Sequence, residues 1–220
     1  MEHQHESKSS PLSASSNLLH VEPHDSKHEE EHREGFLSEI FKFSLIALVI
    51  VLPVRLFIAQ PFIVSGASME ATFSTGQYLI VDQLTYHLDD PKHGDVIVFR
   101  YPKDPSKFFI KRIIGIPGDT VDIKGNVVTI TNEAHPEGVV LTEDYILKMD
   151  PTTTLTEVLG TDEYFVMGDN RNASSDSRMW GVLQRDNIIG RAFLRLFPFN
   201  KINILPGAFN TDTEFMSSSK

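Results

Sequence analysis

The hydrophobic pattern of this chain changes period once, near residue 60. From Phe43 to Val54 the run Phe-Ser-Leu-Ile-Ala-Leu-Val-Ile-Val-Leu-Pro-Val carries no charge, and apolar character resumes from Leu56 to Val64 after the single Arg55. A helix needs roughly 20 mostly apolar residues to cross a bilayer, and one Arg near its end can snorkel into the interface. The pattern predicts a helix over about 40–59 and a transmembrane anchor over 36–60. A cleavable leader would lie within the first ~30 residues and follow a basic region, whereas this stretch follows an acidic one.

Beyond residue 60 the pattern is that of short strands. Tyr78-Leu-Ile-Val81, Asp95-Val-Ile-Val-Phe99, Phe108-Phe-Ile110, Thr120-Val-Asp-Ile123, Val127-Val-Thr-Ile130, Glu163-Tyr-Phe-Val-Met167 and Ile202-Asn-Ile-Leu205 are β-branched or aromatic. Turn signals at Gly76, Gly94, Pro117-Gly118, Gly125-Asn126, Gly168 and Pro206-Gly207 separate them. No helical period is sustained there, so residues 61–207 are predicted to form one mostly β domain. The least strand-like stretch, 131–161, is expected to hold a short cap insertion, and 208–220 to be a flexible tail.

Charge sharpens this division. Residues 1–35 hold eight acids against Lys8, Lys27 and Arg33, which accounts for half of the net charge of -10. Rich in Ser, Glu and His, this segment cannot bury enough apolar area to offset its ordering entropy and is predicted to be disordered. His20, His24, His28 and His32 recur every fourth residue within it. The alternatives are a metal-binding stripe and a polar tail with accidental spacing; Pro23 inside the stripe favours the second, and no metal site is assigned. The acidic balance excludes a general nucleic-acid binder. Lys27, Arg33 and Lys42 precede the apolar span, and after Arg55 no Lys or Arg appears before Lys92. That bias puts the N-terminus in the cytoplasm and the bulk of the chain outside.

The chain has no cysteine, which removes disulfides, thiolate nucleophiles and thiolate metal ligands. Ser68, just after the apolar segment, is a candidate nucleophile, and a serine needs a base within hydrogen-bond reach. Six of the nine histidines lie in the acidic tail, and His87, His93 and His135 sit in polar, turn-like contexts. Glu70 stands where a Gly-x-Ser-x-Gly elbow needs its second glycine. Lysine can act as base if burial lowers its pKa. In an extended strand Phe109 and Ile113 share the face of Lys111, which makes burial one reading and an exposed edge-strand lysine the other.

Four ordered segments bear on that choice: Ser65-Gly-Ala-Ser-Met-Glu-Ala-Thr-Phe73, Gly94-Asp-Val-Ile-Val-Phe99, Lys111-Arg-Ile-Ile-Gly-Ile-Pro-Gly-Asp119 and Gly168-Asp-Asn-Arg-Asn-Ala-Ser-Ser-Asp-Ser-Arg178. Together with the apolar run before the first, they resemble the boxes of bacterial type I signal peptidases. The resemblance covers roughly residues 40–205. It implies a signal-peptidase-like β-sheet catalytic domain with a short cap, anchored in the plasma membrane and working on its outer face. The implied activity is a serine endopeptidase with a Ser-Lys dyad that cleaves signal peptides from exported preproteins after Ala-x-Ala-like sites. By motif position Ser68 is the nucleophile and Lys111 the general base. Ser174 matches the serine that orients the lysine amine, Asp176 and Arg178 a bracing salt bridge, and Asp169 and Arg112 further structural charges. Val64, Met69, Phe73, Phe109 and Ile110 are candidates for the substrate pockets, with ordinary core as their alternative. The implied partners are signal peptides and membrane lipid; no cofactor is implied, and a monomer is expected.

The chain departs from the family pattern at three places. Ala71 stands where proline is usual, Phe73 where leucine is usual, and Gly66 where some members carry a serine that helps hold the oxyanion. The oxyanion is then left mainly to the Ser68 backbone N–H. A self-cleaving repressor-type Ser-Lys protease is disfavoured by the anchor and the lack of a DNA-binding helical domain. An inactive preprotein-binding relative is disfavoured by the intact Ser68, Lys111 and Ser174.

Overall fold

The computed structural model describes residues 26–53, 59–146 and 150–208. A single long helix, α1 (Ser26–Pro53), comes first. It begins inside the segment expected to be disordered, where a run of glutamates, strong helix formers, extends the apolar helix backwards. Its described residues run to Pro53, and Ala59, the expected end of the helix, belongs to a strand. Ile40, Phe41, Phe43 and the aliphatic residues from Leu45 to Leu52 are exposed along it. Among the described residues no helix is long and apolar enough to cross a membrane. Arg55, residues 1–25, the side chains of the histidine run and residues 209–220 lie outside the described residues.

The rest is β-rich. Among the described residues twelve strands follow in order: β1 (Ala59–Ile63), β2 (Tyr78–Asp82), β3 (Val96–Tyr101), β4 (Asp104–Gly115), β5 (Thr120–Lys124), β6 (Val127–Thr131), β7 (Val139–Val140), β8 (Thr154–Val158), β9 (Glu163–Met167), β10 (Leu183–Gln184), β11 (Ile188–Phe197) and β12 (Asn203–Ile204). Two short helices, α2 (Thr85–Leu88) and α3 (Ser177–Trp180), punctuate them. The larger, antiparallel sheet has the order β1-β2-β11-β3-β4-β9-β10, with β12 on β11; the smaller has the order β7-β6-β5-β8.

β11, ten residues long, was not among the expected strands. Gly190, Arg191 and Arg195 interrupt its apolar run, and it is bulged against both β2 and β3, so neither alternation nor a continuous hydrophobic run marks it. β1 was hidden for another reason, because its apolar residues run on from the helix. Its Pro61 is tolerated at a sheet edge, where a missing N–H breaks no ladder. The second sheet is wider than the expected insertion at 131–161: it starts at β5, since the β5–β6 hairpin reads in sequence like any other, and ends at β8, whose Thr-Leu-Thr-Glu-Val is too polar to announce a strand.

The core lies on both faces of β4 and β9. Ile113, Tyr164 and Val166 pack on one side with Ile97, Phe99 and Leu183. Ile114, Phe165 and Met167 pack on the other with Val121, Ile123, Val128 and Ile130 of the second sheet. Strands buried on both faces are continuously apolar rather than alternating, as Tyr164–Met167 is. A third cluster of Val64, Met69, Phe73, Leu79, Val96 and Ala192 fixes the turn that follows β1.

Candidate active site

Ser68 lies in that turn. The β1–β2 pairing continues to Val64, whose N–H donates to the Gln77 carbonyl (2.9 Å), and Gly66 with φ +95° turns the chain outward. A side chain is strained at that φ, which explains glycine here. The Gly66 N–H is taken by Thr75 Oγ1 at 3.1 Å. After Ser68 the chain coils, with Phe73 N–H donating to the Met69 carbonyl (2.7 Å). Met69 and Phe73, four residues apart, point together into the core at 1 % and 0 % exposure. That anchors the turn and leaves Ser68 at its surface end.

Lys111 comes from β4, paired with Ile97 of β3, and it is buried at 3 % exposure. Its Nζ lies 2.8 Å from Ser68 Oγ and 2.9 Å from the Ile110 carbonyl oxygen, with the Phe109 ring centroid 5.3 Å away. Burial pushes the ammonium down to about 8, against the opposing pull of Asp176 and Asp169. An amine so placed is substantially neutral near pH 8 and can accept the serine proton.

The loop after β9 supports the pair. Gly168 packs so tightly that a Cβ there would collide with Ser174 Oγ and with the Ser68 carbonyl oxygen. Asn170 N–H donates to that same carbonyl at 3.0 Å. Asp176 accepts from the Gly168 N–H (3.1 Å) and takes both Arg178 Nε and Nη2 at 2.8 Å. Asp169 is fully buried in a bidentate pair with Arg112 (2.9 and 2.7 Å) and accepts from Thr72 Oγ1. Arg112 also donates to the carbonyls of Gly94 and Gly207 and stacks over the Tyr145 ring at 4.0 Å. Paired and hydrogen-bonded in this way, buried charges are sustained where isolated ones would not be.

The geometry corrects the sequence reading at two points. The second acceptor of the lysine amine is the Ile110 carbonyl rather than Ser174. Ser174 Oγ is buried against Gly168 and has no hydrogen-bond partner among the described residues. Among the expected pocket residues, Val64, Phe109 and Ile110 line a cavity of about 470 Å3 beside Ser68 and Lys111, with Phe62, Ile63 and Leu79. Met69 and Phe73 do not line it; they are core, because the turn carrying Ser68 is held by burying them.

Sequence reasoning did not single out Thr72, Glu143, Tyr145 or Arg171. Thr72 and Arg171 stand inside two of the quoted boxes, so their spacing from Ser68 and Gly168 was the available signal. Glu143 and Tyr145 lie in the stretch assigned to the insertion, where only Glu-x-Tyr on one face of an extended segment hinted at a pair. Among the described residues no group of His, Asp or Glu could hold a metal ion.

Comparison with known proteins agrees with this arrangement. The family profile "Signal peptidase, peptidase S26" matches residues 37–197. The chain is 39 % identical to a probable signal peptidase I-1 of Synechocystis sp. over 76 % of its own length and 85 % of the relative's. It is 38 % identical to a signal peptidase I of Leptolyngbya laminosa over 77 % and 84 %. With signal peptidase I P of Bacillus subtilis subsp. natto the identity is 33 % over 79 % and 96 %. The profile covers most of the chain, and the relatives are matched over most of their length. This chain belongs to the signal peptidase family, peptidase S26.

Proposed function

We propose that the protein is a signal peptidase I, a serine endopeptidase that removes signal peptides from exported preproteins, with Ser68 as nucleophile and Lys111 as general base. The observation that carries this reading is the buried Lys111 amine 2.8 Å from Ser68 Oγ, at the edge of an apolar cavity. Neutral Lys111 takes the hydroxyl proton as Ser68 Oγ attacks the scissile carbonyl. The ammonium so formed then protonates the leaving amine as the C–N bond breaks. Water, deprotonated by the same amine, hydrolyses the acyl-enzyme and restores Ser68. The oxyanion of each tetrahedral species is assigned to the Ser68 N–H, since Gly66 offers no side chain and its own N–H is occupied by Thr75. Asp169 with Arg112, and Asp176 with Arg178, hold the loop against which the Ser68 carbonyl rests, and Ser174 is a buried hydroxyl of that loop.

Strand edges supply the substrate site. β4 pairs with β9 only from Arg112 onward, so its edge from Phe108 to Lys111 is open on that side. β1 pairs with β2 on one edge alone. Phe62 of β1 and Phe108 of β4 meet at 5.3 Å between centroids, closing one end of the cavity between the two edges. An extended preprotein segment adds there as a strand, its backbone bonded to the edges and alternate side chains entering the apolar floor of Val64, Phe109 and Ile110. Small side chains fit so shallow a floor, in keeping with Ala-x-Ala-like sites. The apolar stretch of α1, exposed from Phe43 to Leu52, serves in this reading as the membrane anchor, with the N-terminus cytoplasmic and the β domain outside.

The test is cleavage of a purified preprotein, with the new N-terminus sequenced. The expected product begins one residue after a small-x-small site, and Ser68→Ala yields none. A Ser68→Ala protein that cuts at the wild-type rate sinks the assignment.

A further inference from the structure

Arg171 is a buried guanidinium, 2 % exposed, inside the loop that supports the dyad. Its Nε donates to the Gly168 carbonyl at 3.0 Å. Its two terminal nitrogens face both carboxylate oxygens of Glu143, Nη1 to Oε2 at 2.9 Å and Nη2 to Oε1. Glu143 comes from the segment between β7 and β8 of the second sheet, far from the loop in sequence, and its side chain is 5 % exposed. Tyr145, two residues on, donates to Glu143 Oε1 at 2.9 Å and lies under Arg112. The Arg171 carbonyl in turn accepts from Arg178 Nη2 at 2.6 Å.

Both backbone polar groups of Gly168 are therefore held, the N–H by Asp176 and the C=O by Arg171. Gly168 is the surface against which the Ser68 carbonyl and Ser174 Oγ rest, with no room for a methyl group. A fork-to-fork pair with a carboxylate fixes a guanidinium in plane as well as in position, and a shift of even about 1 Å at a reacting centre is felt in rate. We propose that Glu143 is a positioning residue for catalysis: through Arg171 it sets Gly168, and with it the placement of Ser68 against Lys111. The second sheet is then not only a cover but a member of the catalytic support. This inference rests on the Ser68 and Lys111 reading.

The test uses the full chain with a preprotein substrate and compares Glu143→Gln, which keeps an acceptor but loses the charge, with the neutral double variant Glu143→Gln/Arg171→Met. Folding is followed by circular dichroism, and kcat, KM and the acid limb of kcat/KM are measured. Lys111 faces Ser68 and feels Asp169 and Asp176, so loosening this loop admits water to the amine. The expected result is a fall in kcat of about tenfold or more with KM within about twofold, and an acid limb moved to higher pH. Measured beside the single Arg171→Met variant, the double variant should lose clearly less than the sum of the two single losses, because the two residues act as one unit. A merely structural residue would lower the melting temperature and leave kcat and the acid limb of the folded enzyme alone; that result in either variant overturns the proposal. If neither variant folds, Glu143 belongs to the stability of the fold and the proposal fails as well. Activity surviving Lys111→Ala would instead sink the dyad reading, which separates the two failures.

Discussion

The four-stranded sheet encloses Val121, Ile123, Val128, Ile130, Leu141 and Leu159, all aliphatic, whereas β4 and the loop at 168–178 bury Lys111, Arg112, Asp169, Arg171 and Asp176. The first region is what hydrophobic burial produces unaided: strands with one apolar face laid against another sheet. The second opposes that tendency, since each buried charge costs desolvation that only a specific partner offsets. Its charges come in closed pairs, Arg112 with Asp169, Arg178 with Asp176 and Arg171 with Glu143. Among the described residues Lys111 has no such ion pair in hydrogen-bond contact; its hydrogen-bond partners are a hydroxyl and a carbonyl. A region that gathers four cations around three carboxylates leaves one amine poised to be neutral, and that is the amine nearest Ser68.

Lys111→Met tests this contrast most severely. Removing a general base lowers turnover by about 10²–10⁴. The same change should make the fold more stable near pH 7, by about 1–3 kcal/mol, since each pKa unit is worth about 1.4 kcal/mol. With the folded lysine lowered to about 8 from 10.5, the unfolded chain binds more protons between those values. Wild-type stability therefore rises with pH through that window, and the penalty is fully present below it. The activity of the wild type should fall about tenfold per pH unit below pH 8. Denaturant melts of both proteins across pH 6–10, beside a pH–rate profile, read all three effects; a less stable Lys111→Met would break the comparison.

Next in size is Gly168→Ala. An added methyl meets Ser174 Oγ and the Ser68 carbonyl, so the loop must move away from the nucleophile turn, and we expect kcat to drop by about 10²-fold with the chain still folded. Cleavage kinetics on folded protein decide it, and near-normal turnover would show that Gly168 does not set the dyad.

Ile130→Ala sharpens the comparison from the other side. It opens a cavity in the aliphatic sheet and should cost about 2–5 kcal/mol of stability, while kcat of the folded fraction at low temperature stays within about twofold. Paired denaturant melts and cleavage rates measure it. A large fall in kcat would mean that the whole second sheet, and not Glu143 alone, is coupled to the dyad.

The contrast also explains which features were legible beforehand. Glu163–Met167 reads as a strand from the apolar run Tyr164–Met167, and Thr120–Ile123 and Val127–Ile130 as strands either side of the Gly125-Asn126 turn, because burial acts on side-chain type and type is printed in the chain. β11 was not legible, as its bulges break the period that identifies a strand. Nor was β1, whose apolar residues read as a continuation of the helix. Met69 and Phe73 looked the same whether lining a pocket or filling a core; only packing separates those uses. The motif boxes drew attention to Ser68, Lys111 and Asp176, but Glu143 sits in a polar segment with no repeat or period to mark it.

Sequence alone determined the mostly β character after residue 60, the absence of any thiol chemistry, and the family to which the four boxes belong. Those follow from residue type and local order. The tertiary structure decided the rest: that Lys111 is buried and not an edge lysine, that its second acceptor is the Ile110 carbonyl, and that Arg171 reaches across to Glu143. Such facts depend on pairs of residues far apart in the chain, and a distance of 2.8 Å between positions 68 and 111 exists only once β1 and β4 have been brought together by the cores beneath them.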